Sequence, residues 1–284
     1  MFDAKKTKVI FWGTPEFSVP SFFELIQANY DVVAVVTQPD KPVGRKQTKQ
    51  ESAVKKAALK YRIPVIQPES VKNNPDLTNQ LIDLNPDLSI VVAYGQIIPQ
   101  EILDIPKFGF INIHGSLLPK LRGASPMQSA ILEELGKTGI TIMKMSAKMD
   151  DGDILSQKSF VINSDTTISI LHDQLKQLGA DLLIKTIPEY ILGNIEPIQQ
   201  DETKATYCTL ITKEMGKVEL ENDEPKNIYK KFRAFHPWPG IWTTYKNKRL
   251  KILDVALFDN KISVRKVQLE GKKPVNWEDF KRGN

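Results

Sequence analysis

Apolar and polar positions in the first half of the chain alternate between short apolar runs and longer amphipathic runs. The apolar runs show no strict alternation with polar residues, which is typical of parallel strands buried on both faces. They predict strands at Lys8–Gly13, Asp31–Thr37, Pro64–Gln67, Leu88–Ala93 and Gly109–His114. The amphipathic runs between them predict helices at Val19–Asn29, Glu51–Tyr61 and Asn74–Leu84. This order indicates an α/β fold with a mostly parallel sheet covered by helices.

The second half begins with two further predicted strands, Thr138–Met149 and Ile154–Ile162. A long helix follows from Thr167 to about Leu192, and Pro188 is expected to kink or end it. The polar segment at 195–206 has no periodicity and is interpreted as a linker between a domain at 1–194 and a domain at 207–284. The second domain is predicted to begin with one helix at Pro225–Ala234. Short strands at Ile241–Tyr245, Leu250–Leu257 and Lys261–Gln268 follow it and are predicted to form a small β-barrel.

Composition places the chain among ordinary globular proteins. Its 284 residues are 41% hydrophobic and 26% charged. No run approaches the ~20 apolar residues of a membrane span, and the N-terminus lacks a signal-peptide pattern. The single cysteine, Cys208, excludes an internal disulfide and a cysteine-rich metal site. We therefore expect a cytoplasmic protein with no membrane partner.

The net charge of +5 is unevenly distributed. Residues 204–284 hold 18 Lys and Arg against 10 Asp and Glu, whereas residues 1–203 hold 21 against 24. A second basic region, at 41–62, contains eight basic residues and one acidic residue. Such regions suggest a polyanionic partner such as nucleic acid, but on charge alone a solubilising lysine-rich surface is the more common explanation.

Candidate chemistry is expected where the parallel strands end, because ligands of open α/β sheets bind at the carboxyl ends of strands. The turn after the first strand, Gly13–Glu16, lacks both the G-x-G-x-x-G and the Walker pattern, so dinucleotide binding is not supported. Asn112 and His114 are two residues apart on one strand and therefore share a face at its carboxyl end. They form either a buried structural pair or part of a site, and the adjoining Gly-rich turn favours a site.

Two other segments have open interpretations. The acidic turn Asp150–Asp153 is explained by turn chemistry alone, or it marks a cation site, although the terminal Glu of an EF-hand is absent. The aromatic segment Arg233–Gly240 is suited to packing or, less directly, to base stacking.

Taken in order, several segments resemble the folate-dependent formyltransferase family, and in particular its methionyl-tRNA formyltransferases. The signature Asn-x-His followed by Ser-Leu-Leu-Pro, at Asn112–Pro119, is specific for the class. The Thr37–Asp40 loop and the Phe235–Pro239 segment point to the tRNA-directed members. The resemblance covers nearly the whole chain and includes Phe11–Phe17, Val36–Arg45, Val91–Gly95, Arg122–Pro126, Gly139–Met143, Asp150–Asp153 and Gly271–Phe280.

This resemblance implies transfer of a formyl group from 10-formyltetrahydrofolate to methionyl-initiator-tRNA by a metal-independent monomer. The catalytic positions that it implies are Asn112, His114 and Asp150. The implied folate-binding positions are Tyr94, Gly95, Ser116, Leu117, Leu118 and Pro119. The implied tRNA-contacting positions are Lys41, Arg45 and Lys46.

The resemblance also implies a Rossmann-like catalytic domain and a C-terminal, tRNA-binding barrel of OB type. The stretch Leu250–Gly271 is shorter than the family pattern, so we expect the barrel to lack a strand or two. The basic loop also lacks the glycine expected after Arg45. Alternative functions are formyl transfer to a small amine, such as an amino sugar nucleotide or glycinamide ribonucleotide, hydrolysis of formyl-folate, and non-catalytic RNA binding.

Overall fold

A computed structural model of the chain describes Asp3 and residues 6–43 and 48–283. The chain divides into two compact units. The first comprises Met1–Arg122, Gly139–Phe160 and Asp173–Thr206, and the second comprises Gly123–Thr138, Val161–His172 and Tyr207–Asn284. The domain boundaries that we expect at 194 and 207 stay a prediction. The predicted tRNA-contacting residues Arg45 and Lys46 lie outside the described residues.

Strands and helices alternate through the first two thirds of the chain. In chain order they are β1 (Lys8–Gly13), α1 (Val19–Gln27), β2 (Asp31–Val36), β3 (Lys41–Val43), β4 (Thr48–Gln50), α2 (Ala53–Lys60), β5 (Val65–Ile66), α3 (Pro75–Leu84), β6 (Leu88–Val92), α4 (Gln100–Leu103), β7 (Phe110–His114), β8 (Arg122–Gly123), α5 (Pro126–Leu132), β9 (Lys137–Lys144), β10 (Ile154–Val161) and α6 (Ile168–Ile191). All the elements predicted for this region are present.

The central sheet has seven strands in the order β10-β9-β7-β6-β1-β2-β5. The pairs β1–β2, β1–β6, β2–β5 and β6–β7 are parallel, whereas β9 runs antiparallel to β7. Every residue of β6 and β7 is buried, which explains why their sequences are apolar without alternation. The predicted mostly parallel sheet is therefore confirmed, and the carboxyl ends of β1, β6 and β7 meet at one edge.

Local sequence determines where several helices begin. The Ser52 side chain caps α2 by accepting a hydrogen bond from the Lys55 N–H at 3.0 Å. Asn74 caps α3 in the same way, with Pro75 at the first helical position. The helix α6 runs to Ile191, close to the predicted end near Leu192, so Pro188 does not end it. One expectation differs from the structure: β9 ends at Lys144 and not at Met149, because the chain then turns toward the acidic segment.

The last part of the chain contains β11 (Tyr207–Cys208), α7 (Pro225–Phe235), β12 (Ile241–Tyr245), β13 (Lys248–Phe258), β14 (Lys261–Leu269), β15 (Val275–Asn276) and α8 (Trp277–Gly283). Strands β12 to β15 form an antiparallel sheet in sequence order. An OB barrel has five strands. The described residues of this sheet supply four, in keeping with the predicted shortening. None of the described helices combines the length and apolar character required to cross a membrane.

Candidate active site

The strand β7 presents Asn112 and His114 on one face at the edge where the parallel strands end. Asn112 lies between Val91 of β6 and Met143 of β9, while His114 pairs with Thr141 of β9. Only 9% of Asn112 and 5% of His114 are exposed to solvent. Within the described residues the Asn112 side-chain amide makes no hydrogen bond, which leaves its two N–H donors available to a ligand.

The two ring nitrogens of His114 face two different partners. Nε2 lies 2.9 Å from the Leu121 carbonyl oxygen. Because a carbonyl only accepts, Nε2 carries the proton of this hydrogen bond. The other nitrogen, Nδ1, lies 3.7 Å from Oδ2 of Asp150, whose side chain is largely buried. The structure therefore brings His114 and Asp150 together, although 36 positions separate them in the sequence.

The acidic turn is held against the end of β9. A Cβ atom at Gly152 would lie 1.8 Å from the Lys144 carbonyl oxygen, so only glycine permits this approach. The Lys144 N–H donates to the Asp153 carbonyl at 2.9 Å, and the Ser146 hydroxyl donates to the Asp151 carboxylate. Asp150, in the same turn, faces His114. No group of three or more His, Cys, Asp or Glu side chains is arranged around a common metal position in the described part of the chain.

The segment Ser116–Pro119, which follows β7, is fixed by a compact hydrogen-bond network. Thr141 Oγ1 donates to the Ser116 carbonyl at 2.7 Å and accepts from the Leu118 N–H at 3.1 Å. Gln157 Nε2 donates to the Leu118 carbonyl at 2.8 Å and to Thr141 Oγ1 at 2.9 Å. Gln157 could not be identified from the sequence, because its contact with this segment is set by the pairing of β10 with β9.

Tyr94 and Gly95 follow β6 at the same edge. The Tyr94 ring is buried edge-on against Trp12, with 5.2 Å between ring centroids. Its hydroxyl has no hydrogen-bond partner in the described part of the chain, and burial raises the pKa of this phenol. The Tyr94 carbonyl accepts from Thr14 Oγ1 at 3.0 Å. The structure thus places this tyrosine side chain in the hydrophobic core beneath the edge, while Gly95 is exposed with φ of 92°.

A cavity of about 150 Å³ adjoins Asp150. Six of its ten lining residues are apolar; the lining residues are Gln96, Ile97, Ile98, Met143, Met145, Ser146, Ala147, Lys148, Met149 and Asp150. None of the six predicted folate-binding residues is among them, but Leu118 packs against Met143. Ile97 is 77% exposed at the cavity, which is unusual for a large apolar side chain. The apolar residues at 143 and 145, two apart and ahead of the acidic turn, are the pattern in the sequence that could have indicated this wall.

The basic loop begins as the hairpin of β3 and β4, in which Lys41 pairs with Gln50. Lys41 is exposed. The base of the hairpin is anchored by Asp40, which accepts hydrogen bonds from Lys55 Nζ at 2.6 Å and Gln67 Nε2 at 2.8 Å. Hydrogen bonds from these two side chains, that of Lys55 first, lower the pKa of Asp40.

The fold is an α/β fold in which His114 approaches Asp150 at the carboxyl edge of a mostly parallel sheet, and Asn112 shares a strand face with His114. The family model described as Formyl transferase matches residues 5–187, and the model described as Formyl transferase, C-terminal domain, matches residues 210–261. The chain belongs to the formyl transferase family.

Individual relatives agree with this assignment. The chain is 43% identical over 301 aligned positions to the methionyl-tRNA formyltransferase of Clostridium acetobutylicum, covering 98% of this chain and 96% of that protein. The structure of methionyl-tRNA formyltransferase from Clostridium thermocellum shares the fold, with a TM-score of 0.62, 18% identity and coverage of 93% and 98%. HypX from Aquifex aeolicus, in complex with tetrahydrofolic acid, also shares it, with a TM-score of 0.67, 16% identity and coverage of 96% and 46%.

Proposed function

We propose that this chain transfers the formyl group of 10-formyltetrahydrofolate to the amino group of methionyl-initiator-tRNA, giving N-formylmethionyl-tRNA for translation initiation. The observation that supports this most directly is the 3.7 Å approach of His114 to Asp150, beside Asn112, in a member of the formyl transferase family. The name of the C. acetobutylicum relative supports the same acceptor.

In this proposal Asn112 stabilises the oxyanion. The neutral amine attacks the formyl carbon, a C–N bond forms, and the electron pair of the carbonyl moves to oxygen. Among the described residues the Asn112 amide has no hydrogen-bond partner, and it shares one face of β7 with His114. A donor aimed at a developing oxyanion is worth ~3–4 kcal/mol at the transition state.

His114 and Asp150 move the proton that the reaction must relocate. The attacking nitrogen loses a proton and N10 of the folate gains one as its bond to the formyl carbon breaks. Since Nε2 of His114 is engaged with Leu121, Nδ1 is the nitrogen that takes this proton and returns it. The Leu121 carbonyl orients the ring, and Asp150 stabilises the imidazolium once Nδ1 has taken the proton. The products are the formamide and tetrahydrofolate, and His114 returns to its starting state.

The cavity beside Asp150 suits the heterocycle of the folate. Ile98, Met143 and Met145 supply apolar lining for a flat ring, and Ser146 and Asp150 supply polar atoms. The segment Ser116–Pro119 supports this binding through Leu118, which packs on Met143. Tyr94 and Gly95 contribute through their backbone, because the side chain of the tyrosine is buried in the core. The tetrahydrofolic acid bound to HypX is consistent with folate as the co-substrate.

The acceptor is proposed from charge. Residues 207–284 form the tRNA-binding domain in this proposal, after a linker at 195–206 and a catalytic domain at 1–194, and most of the excess positive charge lies in the C-terminal region. Lys41, Arg45 and Lys46 form a second basic element that reaches the acceptor end. We further propose that the protein acts as a monomer in the cytoplasm. Basic regions of this kind are not required by a small-amine acceptor.

One experiment tests the proposal and separates it from the alternatives. The full chain is incubated with 10-formyltetrahydrofolate and with charged methionyl initiator tRNA, a small amine, or buffer alone. Formyl-methionyl-tRNA as the sole product is expected. Formylation of the small amine at a comparable kcat/KM, release of formate in buffer, or tRNA binding without turnover would each replace the proposal with the corresponding alternative.

A further inference from the structure

Residues 198–206, here called the strap, pack within the first unit although their sequence resembles a polar linker. Ile198 forms an antiparallel bridge with Ile154 of β10, with hydrogen bonds of 2.8 and 2.9 Å between their backbones. The strap therefore begins beside the strand that leads out of the acidic turn. Its other end reaches the turn that follows the Ser116–Pro119 segment, where the Arg122 N–H donates to the Thr206 carbonyl at 2.8 Å.

Within the strap, Gln200 contacts the acidic turn directly. Its side-chain Nε2 donates to the Asp150 carbonyl at 2.9 Å and to the Gly152 carbonyl at 2.7 Å. Gln200 is only 5% exposed, so water does not compete strongly for these bonds. The two bonds span the turn on both sides of Asp151.

The orientation of the Gln200 amide is fixed by Arg122. The guanidinium Nε of Arg122 donates to Gln200 Oε1 at 3.0 Å, and since Nε cannot accept, the amide oxygen must face it. Arg122 is 1% exposed and is itself held by two hydrogen bonds, of 2.7 and 3.0 Å, to the Glu202 carboxylate. A chain of bonds therefore runs from Glu202 through Arg122 and Gln200 to the backbone of Asp150.

The far end of the strap supports the other partner of His114. Thr206 Oγ1 accepts from the Leu121 N–H at 2.9 Å, and the carbonyl of Leu121 is the group that holds His114 Nε2. Both Leu121 and Asp150 have positive φ, 57° and 52°, a conformation that residues other than glycine adopt only when their surroundings hold them there. The strap makes hydrogen bonds to both of these residues.

We propose that Gln200 is a positioning residue that sets Asp150 against His114. This inference rests on the proposed function, because it assumes that the His114–Asp150 pair moves the proton. Gln200 touches no reacting atom in this account. It acts through the backbone of the acidic turn, and without its two bonds the turn relaxes and Asp150 no longer faces Nδ1. A displacement of this kind, of about 1 Å, costs up to roughly 100-fold in rate.

The test is a double-mutant cycle between Gln200→Asn and Asp150→Ala, measured as single-turnover formylation of charged methionyl initiator tRNA. Asparagine is one methylene shorter, so its amide cannot reach Arg122 and both carbonyls together. If Gln200 acts through Asp150, Gln200→Asn lowers the rate roughly 10- to 100-fold in the wild-type background and hardly at all in the Asp150→Ala background. KM for both substrates is expected to change less than the rate.

A matched control is Gln67→Asn. Gln67 also donates from Nε2 to two oxygens, at 2.9 and 2.8 Å, but these belong to Gln38 and Asp40. Gln67→Asn is expected to change the rate by the same factor in the wild-type background and in the Asp150→Ala background. An unchanged rate for Gln200→Asn, or an equal loss in both backgrounds, would overturn the inference.

A second readout does not depend on turnover. The chain has three histidines, so the ring signals of His114 can be assigned in NMR spectra by their loss in His114→Ala. Gln200→Asn is expected to shift these signals in the direction seen with Asp150→Ala, and Gln67→Asn is expected to leave them in place. His114 signals unchanged by Gln200→Asn would contradict the inference even if the proposed acceptor were wrong. If Gln200→Asn is not recovered folded, Gln200→Glu, which keeps an acceptor for Arg122 and removes both donors, enters the same cycle and spectra with the same outcomes.

Discussion

Substitution of Asn112 is expected to lower the reaction rate strongly while changing the free energy of unfolding little. The Asn112 amide makes no hydrogen bond among the described residues, so replacing it leaves no partner in that part of the chain unsatisfied. We expect Asn112→Ala to lower the free energy of unfolding by less than about 1 kcal/mol, because the large penalty for a lost hydrogen bond arises from the partner left unsatisfied. The reaction rate is expected to fall, because the proposed contact with the oxyanion exists only in the transition state.

The size of the rate effect follows from that role. A lost oxyanion donor worth ~3–4 kcal/mol corresponds to a decrease in kcat of about 10²- to 10³-fold, with little change in KM. Asn112→Asp is the sharper variant, because it keeps the shape of the side chain but replaces the donors with a carboxylate that repels the oxyanion. Its kcat is expected to fall at least as far as that of Asn112→Ala.

His114→Ala provides the contrast. Removing the imidazole leaves the Leu121 carbonyl without its 2.9 Å partner, which costs about 1–3 kcal/mol of stability in addition to the loss of rate. The assay is single-turnover formylation of charged methionyl initiator tRNA with excess enzyme, paired with thermal unfolding of each variant. A kcat within threefold of wild type for Asn112→Asp, in a protein that melts normally, would refute the oxyanion role.

Three further predictions concern the surroundings of the site. Gly152→Ala would place Cβ 1.8 Å from the Lys144 carbonyl oxygen and is expected to lower both the melting temperature and kcat. Gly136→Ala is the control, because nothing lies within 4 Å of its Cβ position, and it is expected to change neither quantity. Equal effects of the two substitutions in unfolding and rate assays would contradict this prediction. Arg45→Ala is expected to raise KM for charged tRNA without changing KM for the formyl donor, and a rise in the donor KM instead would remove Arg45 from the tRNA contact. The hydrogen bond from Arg122 lowers the pKa of Glu202 below its ordinary 4.5. The contribution of the Arg122–Glu202 pair to the stability of the fold is therefore complete above pH 4.5, and it is lost as the pH falls through the folded-state pKa of Glu202. Wild type should then melt above Glu202→Gln at pH 7, with the difference vanishing in acid.

Patterns within short stretches of the sequence were sufficient for the architecture. The apolar runs at β1, β2, β6 and β7 predict parallel strands because a strand covered on both faces has no polar side to display. The same logic places Asn112 and His114 on one face, since side chains two apart on a strand point the same way. The fixed order of the quoted motifs indicated the formyl transferase family before any contact was known.

Contacts between distant segments could not be predicted in this way. The sequence shows Asp150 as part of a turn and 195–206 as a polar stretch without period, because neither periodicity nor turn chemistry encodes what a loop packs against. Only the folded chain brings Gln200 to the carbonyl of Asp150, 50 positions away, and Arg122 to Gln200 across 78. The strands and the faces of their side chains follow from the local pattern of apolar and polar residues. The alignment of His114 with Asp150 depends instead on hydrogen bonds between distant segments, which form because buried polar groups need partners.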